Sequence, residues 1–135
     1  MANFAFSEDY TKLAQDVIAR YPDRFAHLKD VQIGGMASDA EKSSGGKMVL
    51  GECIRAKDVY RDFCPYDFLI VIYEPNCQGL TEDQMHILMY HELLHIGVEE
   101  GRDGEPKYSI VPHDAEEFRE VIQMFGIDWA ERKEA

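Results

Sequence analysis

The amino-acid sequence predicts an α+β fold, with helix-period segments at the start, middle and end of the chain and strand-like runs between them. Three observations carry this expectation. Residues 7 to 20 and the stretch opening at Thr81 show helix caps followed by apolar positions. "DFLIVIY", residues 67 to 73, is an apolar, β-branched run bounded by Pro65 and Pro75. "HDAEEFREVIQMFG", from His113, is a further helix pattern. A small, mostly antiparallel sheet is therefore expected to pack on an N-terminal helix and a central helix, with a C-terminal helix after them. A chain of 135 residues suffices for one domain, so 1–135 is expected to be a single unit.

Each element has a local reason. Ser7 can cap the first helix, with Glu8 and Asp9 in its first turn. Tyr10, Leu13, Val17 and Ile18 form its apolar stripe, and Pro22 ends or restarts it. "PDRFAHLK" reads as a further turn or two. "VQIGGMAS" and "KMVLGECIRA" flank a Ser-Gly loop and are expected to pair as a hairpin. Residues 37 to 48 fit a hairpin loop or a flap better than a domain boundary. "TEDQ" has the form of a capping box, with Thr81 and Gln84 as its reciprocal partners. "MHILMYHELLHI" then runs apolar nearly all round, the mark of a helix buried in a core. "EEGRDGEPK" reads as a polar loop and "YSIV" as a short strand. In the last helix Asp114 and Glu117 suit a second capping box. Phe118, Val121, Ile122 and Phe125 share one face, and Gly126 fits the C-terminal cap.

Composition excludes several classes. A formal charge of −12 repels phosphate backbones, so no nucleic-acid partner is expected. No apolar stretch reaches the length of a membrane span. "MANFAFSEDY" lacks the basic-then-apolar pattern of a signal peptide, so the expectation is a cytoplasmic protein without a membrane partner. Cys53, Cys64 and Cys77 are odd in number and contain no C-x-x-C pair. They predict neither a disulfide framework nor a closed zinc knuckle.

The chemistry concentrates in "YHELLHIG", residues 90 to 97. On a helix, residues four apart stand about 40° from eclipsed, which places His91 and His95 side by side. Two imidazole nitrogens there can bind one zinc ion, and Glu92 at the edge of that face can reach a water at the metal. A buried helix with two hydrogen-bonded histidines is the plainer alternative. It must find partners for two imidazoles and a carboxylate, at roughly 1–3 kcal/mol for each one left unmet.

A catalytic zinc needs a third protein ligand and an open position. His113 is the best candidate. It directly precedes the capping residue Asp114, and a helix N-terminus favours the neutral imidazole that zinc requires. Glu116 or Glu117 would give a glutamate-type site instead. Cys53 in "GECI" would imitate a deformylase. The longer H-E-x-x-H-x-x-G-x-x-H pattern is absent, since Gly97 falls one position early and residue 101 is glycine. His86 is expected to be structural and His27 to lie at the surface. Tyr66, Tyr73 and Tyr108 are expected to serve packing.

"HELLHIG", followed after a polar loop by "VPHDAEEF", resembles the family of putative phage metallopeptidases. The similarity covers about residues 67 to 129 and takes in "DFLIVIYEP" and "FGIDW". A looser resemblance links the same features to SprT-like zinc proteases. The resemblance implies a compact zincin-like domain and a zinc peptidase. It puts His91, His95 and His113 on the metal and makes Glu92 the catalytic base. Peptide or protein is then the substrate, with "DFLIVIY" as a sheet edge to receive an extended chain. A zinc-containing module that binds a partner protein without cleaving it is the rival from another class. Another zinc amidohydrolase is the rival within the same chemistry.

Overall fold

The computed structural model describes residues 3–56 and 63–112. Their order is β1 (Phe4–Phe6), α1 (Glu8–Arg20), β2 (Ile33–Ser38), β3 (Ser43–Ser44), β4 (Lys47–Met48), β5 (Gly51–Arg55), β6 (Phe68–Tyr73), α2 (Glu82–Leu93), β7 (Ile96–Glu100) and β8 (Pro106–Ile110). The fold is α+β, as expected. The main sheet has the order β1-β2-β6-β5. Its outer pairs are antiparallel and β2 runs parallel to β6. β3–β4 and β7–β8 are separate antiparallel hairpins. The pattern for residues 113 to 126 lies outside the described residues.

The local signals for both helices hold. Ser7 accepts a hydrogen bond from the Tyr10 amide at 3.1 Å and caps α1, whose Ala14 and Val17 are fully buried. Thr81 and Gln84 complete both halves of the capping box, at 3.1 and 2.8 Å. "PDRFAHLK" gives one 3₁₀ turn, Ala26–Leu28. Leu88, Met89, Tyr90 and Leu93 of α2 join Val17, Phe25, Phe68, Ile70 and Ile72 in one core. The Tyr90 ring stands edge-on to Tyr21 and Phe25, with centroids 5.0 and 5.1 Å apart, the favourable geometry for aromatic neighbours.

Three expectations need correction. "VQIGGMAS" and "KMVLGECIRA" do not pair with each other, because β6 lies between β2 and β5. For the same reason β6 is not a sheet edge. Phe68, Ile70, Val71, Ile72 and Tyr73 are all buried, and a strand apolar on both faces belongs at the centre of a sheet. The end strands are β1 and β5, and the charged Glu52 and Arg55 of β5 suit a strand that, among the described residues, pairs on one side only. The polar loop after Gly97 is also shorter than expected. β7 runs to Glu100 and β8 starts at Pro106, which leaves residues 101 to 105 as the turn. Glu99 faces Lys107 and Val98 faces Tyr108 across the hairpin, and such opposite-charge and apolar pairs favour a ladder.

The Ser-Gly stretch is a tight hairpin. Gly45 and Gly46 take φ of 59° and 78° between β3 and β4, the two consecutive positive φ values of a type I′ turn. Among the described residues no helix is long and apolar enough to cross a membrane.

Candidate metal centre and active site

α2 ends earlier than the sequence pattern suggests. The last helical residue is Leu93, and the chain then tightens: the Leu94 amide is shared between the Tyr90 and His91 carbonyls, and the His95 amide donates to Glu92 at 3.1 Å. His91 and Glu92 therefore stand on the last turn of the helix, while His95 sits in the turn beyond it. The approach survives this change, with the two imidazole centroids 5.2 Å apart at an interplanar angle of 65°. His91 and Glu92 are buried, at 8% and 3% exposure, and His95 is half-buried.

One ligand atom from each of His91, Glu92 and His95 lies within 4.8 Å of the other two. The His91 Nε2 is 3.9 Å from the Glu92 Oε2. Two atoms bound to one zinc at about 2.1 Å each are at most about 4.2 Å apart, and the ligand nitrogens of His91 and His95, within 4.8 Å of each other, are close to that spacing. The His95 Nδ1 lies 2.6 Å from the Val111 carbonyl oxygen. A carbonyl can only accept, so the proton sits on Nδ1 and the Nε2 lone pair is directed elsewhere. The Val111 amide returns a bond to the His95 carbonyl at 2.7 Å. This is the outer support that a metal-binding imidazole needs, and it comes from backbone. The donor set fits a divalent ion of the zinc type.

These residues line a cleft of about 330 Å³ together with Ser44, Val49, Gly51, Glu52, Cys53 and Ile110. Gly51 of β5 stands near the Glu92 carboxylate: a Cβ there would be 3.4 Å from the Glu92 Oε2 and 3.1 Å from the Val71 carbonyl oxygen. The Cys53 thiol is pushed well above its usual range, first by burial and then by the charge of Glu92. Its sulfur is not part of the mutually close His91, Glu92 and His95 set. Glu52 is held by an ion pair with Lys42 and a 3.1 Å hydrogen bond from the Tyr73 hydroxyl.

The outer side of β5, unpaired among the described residues, borders this cleft. The Tyr73 amide donates to the Leu50 carbonyl and the Ala56 amide to the Asp67 carbonyl. By antiparallel alternation, the backbone groups of Glu52 and Ile54 face β6, while those of Gly51, Cys53 and Arg55 turn to the open side.

The remaining sequence candidates separate cleanly. His113, Glu116 and Glu117 lie outside the described residues. His86 is structural, with its Nε2 3.1 Å from the Tyr21 hydroxyl, and His27 is exposed. Tyr66 stacks on Phe6, Tyr108 meets Phe68 edge-on, and Tyr73 serves Glu52. A larger groove of about 750 Å³ runs between α1 and the start of α2, and none of the three clustered residues lines it. The contribution of Val111 was not foreseen, because a backbone carbonyl has no residue-type signature. Gly51, within "KMVLGECIRA", carries no residue-type signal of its place beside Glu92 either.

Comparison with curated proteins gives no match, and comparison with solved structures gives none either. The looser resemblance to SprT-like proteases receives no support from these findings. One family model matches residues 2–134, nearly the whole chain, under the description putative phage metallopeptidase, and the chain belongs to that family.

Proposed function

We propose that the chain is a zinc-dependent peptidase, with the ion held by His91, His95 and His113 and with Glu92 as the general base. The observation that carries this reading is the meeting of His91, Glu92 and His95 in one cleft, with the His95 tautomer set by Val111. Membership of a metallopeptidase family implies a metal ion and a peptide or protein substrate. Val111 is fastened to His95 and stands two residues before His113. Two residues span at most about 7 Å, which is consistent with His113 supplying the third imidazole.

A bound zinc ion would supply a water acidified to a pKa near ~7 and would polarise the scissile carbonyl. Glu92 accepts a proton at its carboxylate and then delivers one to the departing amine nitrogen. Its burial, at 3% exposure, keeps that carboxylate in one place. The open backbone groups of Gly51 and Cys53 bind an extended substrate as an added strand, so the receiving edge is β5.

The test combines metal analysis with cleavage of a proteome-derived peptide library. Purified protein should hold one zinc per chain and cut peptides. Glu92→Gln should keep the zinc and lose about 10²- to 10⁴-fold in rate. Full activity in that variant overturns the base assignment. Zinc bound without any cleavage favours the non-cleaving binding module.

A further inference from the structure

The β3–β4 hairpin and the cleft are joined by one buried side chain that the mechanism does not use. Asn76 is 5% exposed, and its Nδ2 donates to both the Lys42 carbonyl and the Val49 carbonyl, each at 2.8 Å. Two carbonyls can be met only by the NH₂ end of the amide, so its orientation is unambiguous. Lys42 and Val49 are the two residues that close the base of the hairpin, where the Val49 amide donates to the Lys42 carbonyl at 3.0 Å. Asn76 thus grips both legs of the hairpin where they leave the body of the protein. The hairpin in turn supplies Ser44 to the cleft, and Val49 follows directly from it. The Lys42 ammonium extends the hold, pairing with Glu52 and lying 5.5 Å from the centre of the Tyr73 ring.

We infer that Asn76 is a positioning residue for substrate: it holds the β3–β4 hairpin as a rigid wall at the N-terminal end of the β5 edge. This rests on the peptidase reading for its functional consequence, although the grip itself is independent of catalysis. Ser44 and Val49 stand beside Gly51, where the side chain of an extended substrate would lie against them. A wall contacted equally in the bound substrate and in the transition state contributes to KM and leaves kcat alone.

The experiment compares wild type with Asn76→Asp and the milder Asn76→Ser. Aspartate has the same shape and cannot donate to either carbonyl, while serine is too short to reach both. Hydrogen exchange at residues 43 to 50 should speed up by about tenfold in both variants. On the best peptide from the library, KM should rise about fivefold or more, with kcat within about twofold and zinc content unchanged. Unchanged protection of the hairpin in the folded serine variant overturns the grip. A fall in kcat at constant KM overturns the positioning role. Failure of the wild type to cut any peptide removes the peptidase reading and this role with it, while the exchange result still decides the grip.

Discussion

Gly51→Ala is the sharpest probe of the strand beside the proposed general base, Glu92. The added Cβ would stand 3.1 Å from the Val71 carbonyl oxygen and 3.4 Å from both the Ile72 Cδ1 and the Glu92 Oε2. Val71 belongs to the central strand and is 1% exposed, so its carbonyl has little room to retreat. The Glu92 distance is an ordinary contact, so relief must come from the tight approach to Val71: β5 moves outward by a few tenths of an ångström. Overpacking of this kind costs typically about 1–3 kcal/mol, against roughly 0.5–1 kcal/mol gained by replacing glycine in a strand. The net expectation is a loss of about 1 kcal/mol. For a chain of 135 residues that lowers Tm by about 3–4 °C. The effect on hydrolysis should be larger in proportion, about tenfold or more, because a shifted β5 misaligns a substrate laid along it with the proposed base Glu92. Gly51→Val should exaggerate both effects. Thermal unfolding, zinc analysis and a peptide cleavage rate on the same preparation decide the matter. An alanine variant with raised Tm and undiminished hydrolysis would refute the need for a glycine where β5 passes Val71 and Glu92.

Other expectations follow from neighbouring groups. His113→Ala should weaken zinc binding sharply; an unchanged stoichiometry and affinity would move the third ligand to Glu116, Glu117 or Cys53. Cys53→Ala should leave metal content alone, since its sulfur lies outside the mutually close set of ligand atoms, and loss of zinc in that variant would revive the deformylase-like arrangement. Burial, and after it Arg20, holds the His86 imidazole below its usual range. The unfolded chain then takes up a proton at that histidine more readily than the folded one, so stability should fall as pH drops below about 6.5. Denaturant unfolding between pH 5 and 8 should show this loss reduced in His86→Gln, and an identical slope in both proteins would count against it.

What could be read from the sequence was chiefly what is local. Ser7, Thr81 and Gln84 act on amides within three residues of themselves, so their caps were legible. "FLIVIY" was legible as a strand by composition, but its central place depends on β2 and β5 arriving from either side, which no local pattern records. The end of α2 was hidden because apolar residues continue through Ile96 while the backbone changes from helix to strand. The pairing of histidines survived that error, since a tightened turn still leaves His91 and His95 close together. The cleft wall was the least legible part. Cys53 meets the field of Glu92, and Asn76 ties Lys42 to Val49, through contacts between segments distant in the chain.

The pair of hydrogen bonds between His95 and Val111 makes the candidate metal site a property of strand alignment as well as of a helix. Ile96 is paired with Ile110, and the two bonds lie one step beyond that pair. Extra residues inserted among 101 to 105 would lengthen a turn and leave the alignment intact. Removing a single residue from β8 would slide every later position by one and reverse the side on which each points. Insertions at the tip should thus be tolerated, while a one-residue deletion in the strand should abolish zinc retention with His91, Glu92 and His95 all still present.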